Sequence, residues 1–255
     1  MCLVVIAWQQ HADYPLILAG NRDEFHVRPT QAAHQWPDNP EIVGGRDLQA
    51  GGTWLALHRN GRIATVTNYR DAQHEPAGFH SRGQLVTEFL LGTSAPRAYL
   101  ESIDKEAYAG FNLLVSDGSS LAYLSNRGAD AQDLGAGVYG VSNALLDSPW
   151  DKVLRSKQAM DDLLRDDRIN ETELFRLLNN REKAPAETIE STRLPFATAH
   201  AISAPFIVLP DDGTRSSSVA ILDSGGSWQF CERRFDPAGK STGESRFAIT
   251  PGAQA

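Results

Sequence analysis

The chain opens with apolar runs of strand length that are separated by polar turns. Residues Cys2–Trp8 are apolar or small throughout, and a second apolar run at 16–19 follows a polar turn that contains Asp13 and Pro15. Apolar runs of this length bounded by turn residues predict paired strands. A second hairpin is predicted at 54–67, because Asn60-Gly61 lies inside it and this dipeptide is the strongest short-range hairpin signal.

Residues 28–52, between the two hairpins, lack a sustained apolar run. They contain three prolines and the glycine pairs at 44–45 and 51–52. Proline and glycine at this density predict turns rather than regular strands. We therefore expect a long loop here, and long loops inside compact domains are often functional.

Apolar residues at helical spacing predict four helices further along the chain. Ser81, Ser148 and Asn170 stand where N-caps are expected, and Pro149 follows Ser148 at the first helical position. Gly92 ends the first of these helices. The predicted helices cover residues 84–91, 97–105, 149–164 and 171–178.

Further strands are predicted after the helices, and the order of the elements indicates the fold class. These strands cover 111–116, 121–125, 137–142, a short stretch near Ile207, 217–222 and 228–234. Strands and helices occur in separate runs without regular βαβ alternation, which favours antiparallel sheets covered by helices. We expect an α+β fold in one domain over residues 1–255, with a frayed tail at about 244–255.

Composition and charge narrow the functional class. The 255 residues are 41% hydrophobic and 22% charged, as is usual for soluble globular proteins. A formal net charge of −8 argues against non-specific binding to nucleic acid. No apolar run approaches the roughly 20 residues that a membrane-spanning helix requires, so we expect no membrane span.

The cysteines and histidines argue against a structural metal site. Cys2 and Cys231 are the two cysteines, no C-x-x-C spacing occurs, and the seven histidines show no ligand spacing. Two distant cysteines do not indicate a disulfide scaffold, so we expect a reducing, cytoplasmic setting. Cys231 lies in an alternating segment and is expected to be a packed strand residue.

Cys2 is the strongest candidate for chemistry. Removal of the initiator Met1 would leave Cys2 with a free α-amine beside its thiol. An α-amine titrates near about 8 and an unperturbed thiol near about 8.5, so the amine can act as the base that a thiol nucleophile requires. The sequence thus places a nucleophile and its potential base on one residue.

The segment Asn21-Arg22-Asp23-Glu24 directly follows the second predicted strand. Because strand two of a hairpin lies beside strand one, its end returns close to Cys2. Side chains alternate along an extended segment, so Asn21 and Asp23 face one way while Arg22 and Glu24 face the other. An aspartate beside Cys2 could hold the α-ammonium, and an arginine there would lower the thiol pKa. A solvated turn is the third interpretation.

Two asparagines stand at the ends of predicted strands. Asn68 follows residues 64–67, and Asn143 follows residues 139–142. A side-chain amide directed at a developing oxyanion is a standard component of acyl-transfer sites. Asparagine also ends strands for local reasons of turn geometry, so both interpretations stay open.

Five motifs in one order carry a resemblance to a known family. They are Met1-Cys2, Asn21-Arg22-Asp23-Glu24, Gly52-Thr53-Trp54, Gly140-Val141-Ser142-Asn143 with Asp147-Ser148-Pro149-Trp150, and Gly213-Thr214-Arg215-Ser216-Ser217-Ser218. With these motifs the chain closely resembles the NRDE family, also called the transport and Golgi organization protein 2 family, over nearly its whole length. That family is similar to N-terminal-nucleophile hydrolases, so the resemblance implies a four-layer αββα sandwich.

The chain also looks like the cysteine amidases that include penicillin V acylases and bile salt hydrolases, and this resemblance implies six site residues. By analogy Cys2 is the nucleophile, and Asn68 and Asn143 lie near the oxyanion. In those amidases two residues separate an early arginine from an aspartate, whereas Arg22 and Asp23 are adjacent here and face opposite ways. The six residues are Cys2, Arg22, Asp23, Asn68, Asn143 and, as a later site arginine, Arg215.

Two functions from different classes follow, and the sequence leaves open whether the protein is an enzyme. The first is a cysteine amidohydrolase that acts on a non-peptide C–N bond of a small molecule through Cys2 and requires no cofactor. The second is a non-catalytic carrier of haem or lipid in the same cleft, since the family resemblance implies a role in moving haem. No C-x-x-C-H attachment motif occurs, so any haem would bind non-covalently.

Overall fold

The computed structural model describes residues 2–70, 79–189 and 194–250. The strands are β1 Cys2–Trp8, β2 Leu16–Phe25, β3 Thr30–Trp36, β4 Asn39–Asp47, β5 Leu55–His58, β6 Ile63–Asn68, β7 Phe111–Ser116, β8 Leu121–Ser125, β9 Gln132–Asp133, β10 Gly137–Val141, β11 Asp212–Leu222, β12 Trp228–Phe235 and β13 Ser241–Ile249. The α-helices are α1 Arg82–Leu91, α2 Pro96–Glu101, α3 Asp151–Arg165, α4 Glu171–Leu178 and α5 Phe196–Ala201.

The strands form two antiparallel sheets. The first sheet has the order β10-β1-β2-β11-β12-β13, and the second has the order β3-β4-β5-β6-β7-β8-β9. Strand β11 comes after helices α1 to α5 in the chain, yet it pairs with β2 along ten residues of register. The polar end of β2 therefore lies beside a strand from the last quarter of the chain.

The two sheets face each other, and helices cover their outer faces. A central core between the sheets includes Ile6, Leu18 and Leu55. Helices α1 and α2 pack on the second sheet, whereas α3 and α4 pack on the first. The layers are helix, sheet, sheet and helix, which confirms the predicted four-layer αββα sandwich. Within the described ranges, no helix is both long enough and apolar enough to cross a membrane.

Strand β1 is apolar because both of its faces are buried. Val4 and Ile6 project into the core between the sheets, and Val5 and Ala7 project toward α3 and α4. Continuous apolar runs are typical of strands that are covered on both sides. The same alternation continues along β2 and decides where its polar residues point.

The prediction of a long loop at 28–52 is wrong, because most of this segment forms the antiparallel pair β3 and β4. The indole N–H of Trp36 donates to the carbonyl of Gly44 at 3.1 Å and ties the two strands together. A Cβ on Gly44 would lie 2.6 Å from the Cβ of Ala56 on β5. The glycine that suggested a loop instead permits close approach of neighbouring strands.

The prediction of a frayed tail from about residue 244 is also wrong for the residues up to Ile249. Residues Ser241–Ile249 form β13, the edge strand of the first sheet, which pairs with β12. The side chains of Phe247 and Ile249 pack against the central core and hold the strand in place. Residues 251–255 lie outside the described residues, so for them the expectation stays a prediction.

Element boundaries differ from the sequence prediction at several points. Helix α3 begins at Asp151 and has Trp150 at its N-cap, two residues later than expected. The stretch near Ile207 forms no strand; instead an isolated bridge joins Val208 to Gly213. The short helix α5 was not predicted, since its six residues carry no extended apolar pattern.

Candidate functional site

Cys2 and Arg22 lie directly opposite each other on the paired strands β1 and β2. Opposite residues of an antiparallel pair project to the same face. Here this is the face on which Val4 and Leu18 enter the core between the sheets. Asp23 follows Arg22 and projects to the other face, toward the helices. Arg22 therefore shares the face of Cys2, and Asp23 does not.

Cys2 and Arg22 line a cleft of about 410 Å³. Its walls come from both sheets and from the first turn of α1, where Ser81 and Gly83 contribute. Charged residues of both signs contribute to the lining, so the cleft suits a polar ligand better than a purely apolar one. These charged residues are Arg22, Asp23, Glu24, Arg28, Arg46, Asp47, Arg82 and Glu232.

Arg22 is buried and held by a ring of polar partners. Its Nη1 donates to Thr30 Oγ1 at 3.2 Å. Its Nη2 lies 3.7 Å from Glu24 Oε2 and 3.8 Å from Asp47 Oδ2. Asp47 also accepts a hydrogen bond of 2.7 Å from Arg28 Nε. These contacts fix the guanidinium on the cleft wall beside Cys2.

The Cys2 thiol is buried, with 8% of the residue exposed. This burial raises the pKa of the thiol, because desolvation disfavours the thiolate. The backbone carbonyl of Cys2 accepts a hydrogen bond of 2.7 Å from Ser142 Oγ, which fixes the start of β1 against the end of β10. The backbone of Cys2 is thus anchored, and burial favours the protonated form of its thiol.

Asp23 is buried on the helix side of the sheet. Its Oδ1 accepts a hydrogen bond of 2.6 Å from Thr214 Oγ1 on β11. Burial raises the pKa of Asp23 to about 6, and the positive charge of Lys152 on α3 opposes this rise. Burial lowers the pKa of Lys152 to about 8, and Asp23 opposes that fall in turn. The two charges therefore support each other in a poorly solvated space.

Lys152 is the functional candidate that the sequence interpretation missed. It stands on the buried face of α3 together with Ser156, Met160 and Leu163. These four positions have the spacing of one helix face. The presence of a lysine on this otherwise buried face was the sequence signal that could have identified Lys152 as a candidate. A lysine on the core face of a helix is uncommon unless it is paired or functional.

Asn21 has a structural role in this arrangement. Its Nδ2 donates to the carbonyls of Leu178 and Pro205 at 2.8 and 2.9 Å, and its Oδ1 accepts from Ser217 Oγ at 2.6 Å. The side chain is fully buried. It therefore ties β2 to β11, to the end of α4 and to the segment before β11.

The two strand-end asparagines meet, but they do not occupy equivalent places. Asn68 lines the Cys2 cleft. Asn143 is buried beside it and donates from Nδ2 to the backbone carbonyl of Asn68 at 2.8 Å. Asn143 Oδ1 also lies 3.2 Å from Ser142 Oγ, whose proton is donated to the Cys2 carbonyl. Asn143 thus supports the cleft wall, while Asn68 forms part of it.

Arg215 does not line the cleft in the described part of the chain. It lies at a bulge in β11, where the register with β2 shifts between Thr214 and Ser216. Its Nη1 donates to the carbonyls of Phe25 and His26 at 2.8 and 3.1 Å. The structure therefore places Arg215 as a clamp on the turn after β2, apart from Cys2.

Two further features of the cleft were not predicted. Glu232 on β12 lines the cleft, and burial raises the pKa of its carboxyl group. Its Oε1 accepts a hydrogen bond of 2.7 Å from the N–H of Ala33, which joins the two sheets. Gly52 and Gly83 pack backbone against backbone, and a Cβ on Gly52 would lie 2.5 Å from the carbonyl carbon of Gly83. This contact places the start of α1 at the cleft.

One group of potential metal ligands occurs within the described ranges. Ligand atoms of Glu171, Cys231 and Glu244 lie within 4.8 Å of one another. Burial raises the pKa of the Cys231 thiol to about 12, which opposes thiolate ligation. Arg246 contacts both carboxylates, so an ion-pair network accounts for this cluster.

A solved structure shares the architecture. The crystal structure of a mutant conjugated bile acid hydrolase from Clostridium perfringens matches with a TM-score of 0.57 and 11% sequence identity. The match covers 98% of this chain and 92% of that chain. At this identity the likeness concerns the fold, which is of the N-terminal-nucleophile-hydrolase type.

Sequence comparison identifies the family. A family model described as "Transport and Golgi organisation 2" matches residues 1–237. The mouse "Transport and Golgi organization 2 homolog" is 34% identical over 239 residues, which cover 86% of each chain. The human "Transport and Golgi organization protein 2 homolog" is 36% identical over 241 residues with the same coverage. The chain therefore belongs to the Transport and Golgi organisation 2 family.

Proposed function

We propose that this protein is a cysteine amidohydrolase that cleaves a non-peptide C–N bond with Cys2 as the nucleophile. The observation that carries the proposal is the position of Cys2 at the start of β1, on the wall of the cleft and opposite Arg22. The bile acid hydrolase with the same fold supports the assignment, since its name describes hydrolysis of a conjugate. The cleft has the size expected of a small-molecule site.

Activation of Cys2 requires a base, because burial raises the pKa of its thiol. Removal of Met1 would supply the α-amine of Cys2 itself. The amine takes the thiol proton as sulfur attacks the substrate carbonyl, and a C–S bond forms. The C–N bond then breaks, and the leaving amine takes that proton. Water hydrolyses the resulting thioester and restores the thiol.

The negative charge that develops on the carbonyl oxygen requires hydrogen-bond donors. Asn68 lines the cleft and is the candidate donor from the second sheet. Asn143 donates to the Asn68 carbonyl, so it orients this strand end instead of facing the substrate directly. Arg22 adds a fixed positive charge on the face of Cys2. Asn68 and Asn143 thus have different roles, whereas the resemblance to the cysteine amidases implies that both asparagines lie near the oxyanion.

The proposal is tested with the full-length protein and a panel of acylated amines, N-acyl amino acids and lactams. Intact mass during turnover is expected to show loss of Met1 and an acyl adduct, and both the adduct and hydrolysis should disappear in Cys2→Ala. Cys231→Ala is the matched control, since Cys231 is buried on the helix side of the first sheet. Hydrolysis by Cys2→Ala at the wild-type rate would overturn the proposal.

A second candidate function is a carrier that binds haem in the same cleft. Cys2 and His80 both line it, and thiolate and imidazole are haem-iron ligands. The arginines on the wall suit the two carboxylates of haem. Titration with haem should then shift the Soret band, and His80→Ala should weaken the shift. An unchanged Soret band together with unquenched tryptophan fluorescence would remove this candidate.

The chemistry proposed for Cys2 fits a reducing compartment such as the cytoplasm. Cys2 and Cys231 are both free in the structure. A nucleophilic thiol is consumed when it is oxidised beyond the reversible stage. Fractionation of cells that express a tagged chain would test the location directly.

A further inference from the structure

A second cavity, separate from the Cys2 cleft, lies at the start of α3. It has a volume of about 220 Å³. Its walls are largely apolar, and they come from the start of α3, from α5 and from the segment before α5. The apolar residues that define it are Pro149, Trp150, Leu154, Ile189, Ala199 and Ile202. Cys2, Arg22, Asn68 and Asn143, which carry the proposed hydrolysis, do not line this cavity, so its ligand does not depend on that function.

Two cations lie at one end of this apolar cavity. Lys152 and Arg70 both contribute to its lining. The Arg70 guanidinium lies 5.3 Å and the Lys152 ammonium 6.0 Å from the centre of the Trp150 ring. Both cations therefore share one aromatic side chain as a neighbour and concentrate positive charge at the same place.

Lys152 is buried without a hydrogen-bond acceptor. It is 2% exposed, and among the described residues its ammonium group has no hydrogen-bond partner. Asp23 and Asp212 act on it electrostatically, and Arg70 opposes its charge. Buried ammonium groups are normally paired, because desolvation without compensation is costly. The three donor hydrogens of Lys152 thus have capacity for an acceptor from a ligand.

The first turn of α3 adds further donors at the same end. Helix α3 has fifteen residues, and the side chain of its N-cap residue Trp150 accepts no hydrogen bond from the first-turn N–H groups. The first N–H groups of a helix have no partner within the helix, and they attract anions. Asp151 lies in the same turn, but its carboxylate contacts Arg155 one turn further along. The cavity thus combines a polar, electropositive end with an apolar body.

We propose that this cavity binds a small carboxylate with a short apolar tail, and that Lys152 and Arg70 hold the carboxylate while the tail packs against Trp150 and Ile202. The cavity volume lies below the roughly 300–1,000 Å³ of pockets for drug-sized ligands, so the tail is short. A simple alcohol or amine of the same length fills the apolar part but leaves the Lys152 ammonium without an acceptor. Selectivity for the carboxylate is therefore the signature of the site.

Calorimetric titration of the full chain with hexanoate, 1-hexanol and hexylamine tests the proposal. Hexanoate is expected to bind at least tenfold more tightly than 1-hexanol, and hexylamine is expected not to bind. Lys152→Met should weaken hexanoate tenfold or more and leave 1-hexanol unchanged. Lys157→Met is the matched control on the same helix, because Lys157 pairs with Asp147 at 2.7 Å outside the cavity.

Two results would overturn the proposal. One is equal affinity of the wild-type chain for hexanoate and 1-hexanol, and the other is undiminished hexanoate binding by Lys152→Met. If Lys152→Met does not fold, Arg70→Gln and Ala199→Leu replace it. Arg70→Gln should reduce hexanoate binding alone, whereas Ala199→Leu should block both ligands by filling the apolar part. If both of these variants still bind hexanoate as the wild type does, the proposed carboxylate site is also contradicted.

Discussion

The side chains of Arg22 and Asp23 leave strand β2 on opposite faces, and their surroundings differ accordingly. Arg22 lies on the cleft wall among Glu24, Asp47 and Thr30. Asp23 lies on the helix side, hydrogen-bonded to Thr214 and within the electrostatic reach of Lys152. The two adjacent charged residues thus have different partners, although both contribute to the lining of the Cys2 cleft.

The buried carboxyl group of Asp23 should make stability depend on pH. Burial raises its pKa from 3.8 to about 6, so between these values the folded state binds a proton that the unfolded state has lost. The free energy of unfolding should therefore fall as pH rises from about 4 to about 6. The shift corresponds to roughly 3 kcal/mol. Urea unfolding of the wild type and of Asp23→Asn at each pH gives the free energy of unfolding as a function of pH. The difference between the two curves measures the contribution of the Asp23 carboxyl group.

Lys152→Met provides the contrast for this experiment. The lysine charge lowers the pKa of Asp23, so its removal should raise that pKa further and extend the fall in stability to higher pH. A variant at an exposed lysine such as Lys240→Met should leave the profile unchanged. Superimposable profiles of wild type and Asp23→Asn would show that the buried carboxyl group does not titrate in this range.

Asn21 should contribute to stability rather than to turnover. In Asn21→Ala the carbonyls of Leu178 and Pro205 and the hydroxyl of Ser217 lose their buried partner. The expected loss is roughly 2–4 kcal/mol of unfolding free energy, since buried unpaired polar groups are costly. Gln49→Ala, at an exposed turn position, is the control and should change stability little. A wild-type unfolding midpoint for Asn21→Ala would contradict this role.

At the scale of elements, the contact between Gly52 and Gly83 holds helix α1 against the segment before β5. A Cβ on Gly52 would lie 2.5 Å from the carbonyl carbon of Gly83, and a Cβ on Gly83 would lie 2.9 Å from the backbone nitrogen of Thr53. Gly52→Ala should therefore displace the first turn of α1, which lines the cleft, and destabilise the chain by about 1–3 kcal/mol. Thermal unfolding measures the loss, and hydrolysis or haem binding by the folded variant reports the altered cleft.

Gly135→Ala is the matched control for this substitution. A Cβ on Gly135 meets no atom within 4 Å, so the change adds a methyl group without a clash. It should leave both stability and the cleft as they are in the wild type. Equal behaviour of Gly52→Ala and Gly135→Ala would show that the backbone contact does not position α1.

Elements with strong local signals could be predicted from the sequence. β1 is a continuous apolar run, and α4 has an N-cap residue, Asn170, whose side chain accepts from the N–H of Glu173 as its type predicts. β3 could not be predicted, because it is largely polar and only a few of its residues are buried. Its conformation is fixed mainly by pairing with β4. β13 was missed for the same reason, since Phe247 and Ile249 are its main apolar anchors.

The candidate site shows the same division between local and distant information. The pairing of Cys2 with the polar end of β2 follows from hairpin geometry and could be inferred from the sequence. Which of Arg22 and Asp23 faces Cys2 depends on the strand register, which the turn alone did not fix. The approach of Lys152 to Asp23 depends on the packing of α3 on the first sheet, and no local pattern encodes it.

At the scale of the whole molecule, the first sheet extends beyond the part of the chain that the family model matches. That match ends at residue 237, and β13 follows at Ser241–Ile249. β13 nevertheless completes the core, with Phe247 opposite Phe230 and Ile249 opposite Trp228. Its residues Glu244 and Arg246 also form ion pairs with β12 and α4. We therefore regard β13 as an integral part of this fold.

Two truncated chains distinguish the contribution of β13 to stability from that of the residues that follow it. A chain that ends at Lys240 loses β13, exposes Trp228 and Phe230 and leaves the edge of β12 unpaired. The loss of Phe247 and Ile249 from the core should cost roughly 4 kcal/mol or more, and the open edge should promote self-association. A chain that ends at Thr250 keeps the strand and should match the full-length protein in urea unfolding and in size-exclusion chromatography. If the shorter chain instead remains monomeric with full-length stability, the first sheet is complete at β12 and β13 is dispensable.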